Sequence, residues 1–61
     1  MREVFKIQSI LTQLVVEYDT TVEWKRDWHA RLNRGWSPVG SSWFQNGKRY
    51  MKFTKLEDKK L

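Results

Sequence analysis

The chain has 61 residues, a net charge of +5 and no cysteine. This length allows one domain, and the lack of cysteine excludes disulfides and thiolate metal sites. Positive charge favours acidic proteins or nucleic acid as partners. So small a domain buries only about 60% of its unfolded surface, so its four tryptophans, three phenylalanines and two tyrosines, or self-association, must add stability. We therefore expect a homo-oligomer.

The N-terminal segment has no apolar run of the length that a signal peptide or a membrane span requires. Its apolar residues are interrupted by polar ones, namely Lys6, Gln8, Ser9, Thr12 and Gln13. A chain without cysteine is also compatible with a reducing compartment. The sequence therefore predicts a cytoplasmic protein with no membrane partner.

Residues 4–18 are rich in β-branched and aromatic types, which predicts strand. Their apolar positions change parity, from odd to even, in the order Phe5, Ile7, Leu11 and then Leu14, Val16, Tyr18. Because a one-residue slip moves every side chain to the other face, we expect a bulge or bend near Ser9–Thr12, or a break there into two strands. Unbroken, the strand is longer than the later hairpin can cover. Part of it would then lack a neighbour and pair with another chain.

The next segment carries the signals of a helix. Thr20 and Glu23 have the spacing of a capping box, in which the hydroxyl accepts from the backbone and the carboxylate reaches back. Residues 22–34 contain no glycine or proline. An apolar stripe recurs every four residues, at Trp24, Trp28 and Leu32.

The end of this helix is also marked. Gly35 suits the left-handed position after the last helical residue, and Pro38 prevents the helix from resuming. An alternative stays open at this point, because β-branched and aromatic residues also suit strands. It is a hairpin that pairs residues 14–18 with residues 22–28.

The dipeptide Asn46-Gly47 predicts a second hairpin, since both central residues of a type I′ turn need positive φ. The flanking strands are residues 39–45 and 48–55. A two-residue loop gives the pairs Gln45 with Lys48, Phe44 with Arg49, Trp43 with Tyr50, and Ser42 with Met51. One face then carries Phe44, Met51 and Phe53, which we expect under the helix, and the other exposes Trp43 and Tyr50.

These elements predict an α+β fold of the order strand–helix–strand–strand. It consists of an antiparallel hairpin with one helix packed on the sheet, and strand pairing between chains is expected. Residues 1–55 form the domain, and residues 56–61 form a charged C-terminal tail that frays.

The sequence contains no pattern that specifies a reaction. His29 is the only histidine, and helical spacing places Asp27 on a different side of the helix, so we expect His29 to face solvent. Glu23 and Asp27 share a helix face, as a cap and as a partner for Arg26 or Arg31. One histidine and scattered acids do not supply a metal shell. We expect no enzyme activity, no metal and no cofactor.

The residues from Leu32 to Gly40 (LNRGWSPVG), with the hairpin after them, resemble a motif of very small bacterial and phage proteins of unknown function. Those proteins share a strand, a helix, a GW-x-P-x-G turn and two more strands. The resemblance covers roughly residues 20–55 and implies the same strand order, frequent self-association and a phage or prophage setting. It implies no particular chemistry.

The predicted partner site is the sheet face with Trp43 and Tyr50, rimmed by Lys48, Arg49 and Lys52. Aromatic and basic residues of this kind dominate protein interfaces, which gives our first hypothesis, a small non-enzymatic interaction protein. They also hold single-stranded nucleic acid, with bases stacked and phosphates beside cations, which gives the alternative. A secondary basic patch is predicted from the helix residues Lys25, Arg26, Arg31 and Arg34.

Overall fold

The computed structural model describes residues 1–56, which form a four-stranded antiparallel sheet and one helix. In chain order the elements are β1 (Arg2–Ile7), β2 (Leu11–Tyr18), α1 (Thr21–Asn33), β3 (Ser37–Gln45) and β4 (Lys48–Leu56). The strand order in the sheet is β1-β2-β4-β3, so the central pair joins strands from opposite ends of the chain. The predicted α+β class is confirmed, with one strand more than the predicted order.

The extra strand comes from the break predicted near Ser9–Thr12. The chain turns there and β1 folds back on β2 as a hairpin. An unpaired stretch was expected only for an unbroken strand, and that condition is not met, because β2 pairs with β1 on one side and β4 on the other. A bulge between Glu3 and Phe5 leaves Val4 as an extra residue in β1.

Helix α1 begins as the sequence predicts. The Thr20 hydroxyl accepts from the backbone N–H of Glu23 at 3.1 Å. The Glu23 carboxylate reaches back one residue further than in a standard capping box, to the backbone N–H of Asp19 at 3.0 Å.

The helix ends in a Schellman motif. The N–H of Trp36 donates to the carbonyl of Arg31, and the N–H of Gly35 donates to the carbonyl of Leu32. Gly35 has a φ of +93°, which explains the glycine at this position. The alternative hairpin for this segment is therefore wrong.

The second hairpin turns at Asn46 and Gly47, whose φ values are +52° and +77°. The three predicted pairs nearest the turn are present. The fourth, Ser42 with Met51, is displaced because β3 contains two extra residues between Val39 and Trp43. Since two residues are inserted, Val39 and Trp43 still lie on the same face.

The core lies between α1 and the sheet. Trp24, Trp28 and Trp36 pack against its buried apolar residues. Those residues come from β2 and β4 and are Leu14, Val16, Tyr18, Met51 and Phe53. Phe44, which was predicted to lie under the helix, is 66% exposed near the hairpin tip. Leu32 lies at the rim instead of continuing the tryptophan stripe.

Leu56 is the last residue of β4, and residues 57–61 of the predicted tail lie outside the described residues. Within residues 1–56, α1 lacks the length and the apolar character that a membrane crossing requires.

Candidate functional site

The sheet has one face covered by α1 and an opposite face, here called the open face, that no element in residues 1–56 covers. Paired residues of neighbouring strands lie on the same face. The register therefore places three cross-strand rows on the open face, from β1 to β3: Arg2–Glu17–Tyr50–Trp43, Phe5–Val15–Lys52–Val39 and Ile7–Gln13–Thr54–Ser37.

The first row contains the predicted aromatic pair. The rings of Trp43 and Tyr50 stack with centroids 5.7 Å apart and planes at 13°. Trp43 is 38% exposed. Their predicted position on the face away from the helix is confirmed.

A carboxylate fixes this pair to β2 and β1. The Tyr50 hydroxyl donates to Glu17 Oε2 at 2.8 Å, and Arg2 Nε donates to Glu17 Oε1 at 3.0 Å. The hydrogen bond from Arg2, followed by that from Tyr50, lowers the pKa of Glu17. The bond to Glu17 raises the pKa of Tyr50. The row is thus a continuous polar and aromatic strip across all four strands.

The other rows bring apolar side chains into solvent. Phe5, Ile7 and Val39 are each between 41% and 49% exposed. An antiparallel sheet with one solvated face usually carries polar residues there. The apolar content of the open face is therefore unusual, and it is typical of a surface that contacts another molecule.

The two predicted lysines of this face differ in their pairing. Lys48 forms an ion pair with Asp19 at the hairpin end of the sheet. The pKa of Lys48 is raised by Asp19, and the pKa of Asp19 is lowered by Lys48 and by the N-terminal amine. Lys52 lies in the middle row between Val15 and Val39, and it forms no ion pair with any residue from 1 to 56.

Arg49 lies on the helix-covered side of the sheet, apart from the other predicted site residues. Its guanidinium carbon is 4.3 Å from the ring centroids of both Trp24 and Phe44. Its Nη1 donates to Ser42 Oγ at 2.5 Å, and its Nε has no hydrogen-bond partner in the described part of the chain. Arg49 therefore links β4 to α1 and β3 by cation–π contacts.

The secondary basic patch does not converge. Arg31 is largely buried: its Nε donates to Asp27 at 2.6 Å, and its Nη2 is 3.7 Å from Glu3. The other three residues are exposed and point in different directions, two of them from α1 and the third from the residue that caps its C-terminal end: Lys25, Arg26 and Arg34.

Asp27 also accepts from the Tyr18 hydroxyl at 2.5 Å, so one carboxylate joins β2 to the helix. Burial, and then the bond to Asp27, raises the pKa of Tyr18. The predicted roles of Glu23 as a cap and Asp27 as an arginine partner are confirmed. His29 is exposed, as predicted, and the structure adds an edge contact between its ring and that of Trp28. Residues 1–56 contain no cluster of side chains that could hold a metal.

Sequence reasoning missed much of the open face. The alternation of Gln13, Val15 and Glu17 with buried residues was a usable signal for β2. No comparable signal places Arg2 or Phe5 beside them, because that placement requires β1 to fold back.

Comparison of the chain with protein-family models, curated proteins and solved structures returned no match. The resemblance to small bacterial and phage proteins therefore stays a prediction.

Proposed function

We propose that this chain is a small interaction protein that binds a protein surface through its open face. Trp43 and Tyr50 supply the rigid aromatic anchor, because stacked rings lose little conformational freedom on binding. Phe5, Val15 and Val39 supply the apolar centre. Lys52 is the polar group that selects among partners. The resemblance of the turn motif suggests a phage or prophage setting for this activity.

The observation that carries the proposal is the apolar middle of a sheet face that lacks a second layer. A sheet normally buries its apolar face against another element. Here the side toward α1 is buried, whereas Phe5 and Ile7 on the other side are nearly half exposed. Covering them removes apolar surface from water, at about 25 cal/mol per Å².

Site-specific photocrosslinking tests this proposal. A photoreactive phenylalanine derivative replaces Phe5 on the open face or, as the matched control, Val22, which is exposed on α1. We expect protein adducts from position 5 and few from position 22, both in a lysate of the source organism and with the pure chain. Equal labelling from the two positions, or labelling from position 22 alone, contradicts the proposal.

Trp43→Ala is the complementary variant. We expect it to reduce the adducts formed from position 5 at least about tenfold, as for an interface anchor. The helical circular dichroism signal should persist, since Trp43 lies outside the core. If Trp43→Ala unfolds the chain, the ring has a structural role instead.

Pairing through the outer edge of β1, as expected from the sequence, is a second route for self-association. All six residues of β1 are exposed, and its outer backbone groups have no neighbouring strand in residues 1–56. Substitution of Trp43 should leave this route unchanged, which separates it from the use of the open face.

Single-stranded nucleic acid is the alternative occupant, favoured by the exposed Trp43 ring beside the unpaired Lys52. The face is otherwise poor in free cations, because Lys48 pairs with Asp19 and Arg2 pairs with Glu17. Tryptophan fluorescence, titrated with oligonucleotides at two salt concentrations, measures this directly. Quenching that weakens steeply with salt supports nucleic-acid binding, and no quenching at low salt excludes it.

A further inference from the structure

The charges and the apolar residues of the open face are arranged so that the face can pack against itself. We propose that a second copy of this chain covers it, related by a twofold axis that lies between the two sheets and runs parallel to the strands. This inference rests on the proposed function and names the partner.

Such an axis keeps each cross-strand row level and reverses the strand order. Strand β1 of one copy then faces β3 of the other, and β2 faces β4. In the middle row, Phe5 faces Val39 of the second copy, and Val15 faces the alkyl chain of Lys52. In the first row, Arg2 faces the Trp43 ring, a favourable cation–π arrangement. Every contact occurs twice, as in an isologous interface.

The charge pattern selects this axis. Lys52 has no ion pair within residues 1–56, and the rotation brings it diagonally opposite Glu17 of the second copy. Packed sheets lie about 10 Å apart, a gap that a lysine and a glutamate side chain bridge together. A twofold axis perpendicular to the strands and level with the middle row would instead place Lys52 opposite Lys52 of the second copy, so like charges would meet.

The area also fits a dimer. Strands about 4.8 Å apart and roughly 25 Å long give the open face a footprint on the order of 500 Å². Two copies together then bury on the order of 1,000 Å², which is about the smallest area expected of a biological interface. Each copy carries +5, but Arg2–Glu17 and Lys48–Asp19 pairing cancels most of the charge at the face.

Charge reversal in the 61-residue chain tests the arrangement. Sedimentation equilibrium is measured for the wild type, Lys52→Glu, Glu17→Lys and an equimolar mixture of the two variants. Each variant alone places like charges at both symmetric contacts. We expect its dimer to weaken about a hundredfold, a tenfold loss at each contact. The mixture should recover the dimer mass, because both contacts regain opposite charges.

Lys25→Glu is the control for Lys52→Glu, since it makes the same change in net charge on the exposed side of α1. We expect it to sediment as the wild type does. Circular dichroism confirms that each variant is folded, and Lys52→Glu alone keeps the test valid if Glu17→Lys unfolds.

A wild-type chain that stays monomeric at high concentration overturns the second copy as occupant. So does a dimer that neither reversal weakens. The proposed function then survives only if position 5 still yields adducts with a different protein, and an acidic partner is identified by loss of those adducts in Lys52→Glu. Absence of adducts from position 5 overturns the proposed function itself.

Discussion

The two faces of the sheet each carry a triad of the same chemistry: Tyr18–Asp27–Arg31 under the helix and Tyr50–Glu17–Arg2 on the open face. In both, one carboxylate accepts from a tyrosine hydroxyl and an arginine Nε. They differ in burial, since Tyr18 is fully buried and the Arg31 side chain is 11% exposed, whereas the Arg2 side chain is 72% exposed.

This comparison separates the two roles that such a network can have. Under the helix, the Asp27 carboxylate joins α1 to β2, and it is the tyrosine and arginine partners, not the carboxylate, that are more buried than on the open face. On the open face, the same groups align an aromatic ring at a surface that water still reaches. The same donors and acceptors therefore join the helix to the sheet in one place, and in the other they fix an exposed aromatic pair on the face that we propose binds a partner.

The largest expected difference in the free energy of unfolding is between an apolar residue on the helix-covered face and one on the open face. Phe53→Ala removes a fully buried ring and should cost about 3–5 kcal/mol. A chain of 61 residues has roughly 3–9 kcal/mol in total, so we expect extensive unfolding. Val39→Ala on the open face should change the free energy of unfolding by no more than about 0.5 kcal/mol. Urea denaturation of both variants measures the difference, and similar losses would contradict the assignment of the faces.

Next come the two carboxylates. Asp27→Asn leaves Tyr18 and Arg31 with a weaker, uncharged partner and should lower the free energy of unfolding by about 1–3 kcal/mol. Glu17→Gln should lower it less, because its arginine partner is solvated. Thermal unfolding of both variants measures the two losses of unfolding free energy, and we expect the loss for Asp27→Asn to be the larger. A larger loss for Glu17→Gln would mean that the open-face triad is the structural one.

The tyrosines give a pH-dependent version of the same test. Burial raises the pKa of Tyr18 in the folded state, so its contribution is complete below the unfolded pKa of about 10 and is lost as the pH rises above it. Since the chain has two tyrosines, Tyr50→Phe leaves Tyr18 as the one reporter of tyrosinate absorbance, and Tyr18→Phe leaves Tyr50.

We expect Tyr18 to ionise only when the chain unfolds, and Tyr50 to ionise in the folded state at a somewhat raised pKa. Absorbance and circular dichroism, recorded in one alkaline titration, distinguish these cases. Ionisation of Tyr18 near its ordinary pKa with the helix intact would contradict its burial.

The smallest expected effect is at Asp19, at the edge of the open face. Lys48 and the N-terminal amine lower its pKa, so its contribution is present above the unfolded pKa of about 4 and disappears as the pH falls below it. Asp19→Asn should remove a small part of the acid dependence, and added salt should have the same effect. An unchanged acid transition at low salt would indicate that the pair is too solvated to contribute.

Local signals in the sequence predict much of the fold. Thr20, Gly35 and Asn46-Gly47 each act on their own neighbours, and the helix ends and the second turn lie where these residues indicate. The parity change along residues 4–18 correctly predicts an interruption. None of these signals reports the pairing of β2 with β4, because that contact joins distant parts of the chain.

In the candidate site too, contacts set by local signals could be predicted, and contacts between distant strands could not. Trp43 and Tyr50 follow from the turn register, and the structure places them together. Arg2 and Glu17 meet only because β1 folds back, which local patterns do not determine. Grouping Arg49 with Lys48 and Tyr50 was wrong on the register alone, because alternation along β4 and the pair with Phe44 place it on the opposite, helix-covered face.

The irregularities in both outer strands limit how large an assembly can become. Val4 interrupts β1, and the two inserted residues before Trp43 interrupt β3. An incoming strand therefore meets only short regular stretches on either side of the sheet, which opposes end-to-end growth into fibrils. The open face, in contrast, accepts no further molecule once one partner covers it. The proposed complex is therefore expected to be small and finite, because neither edge of the sheet favours further strand addition.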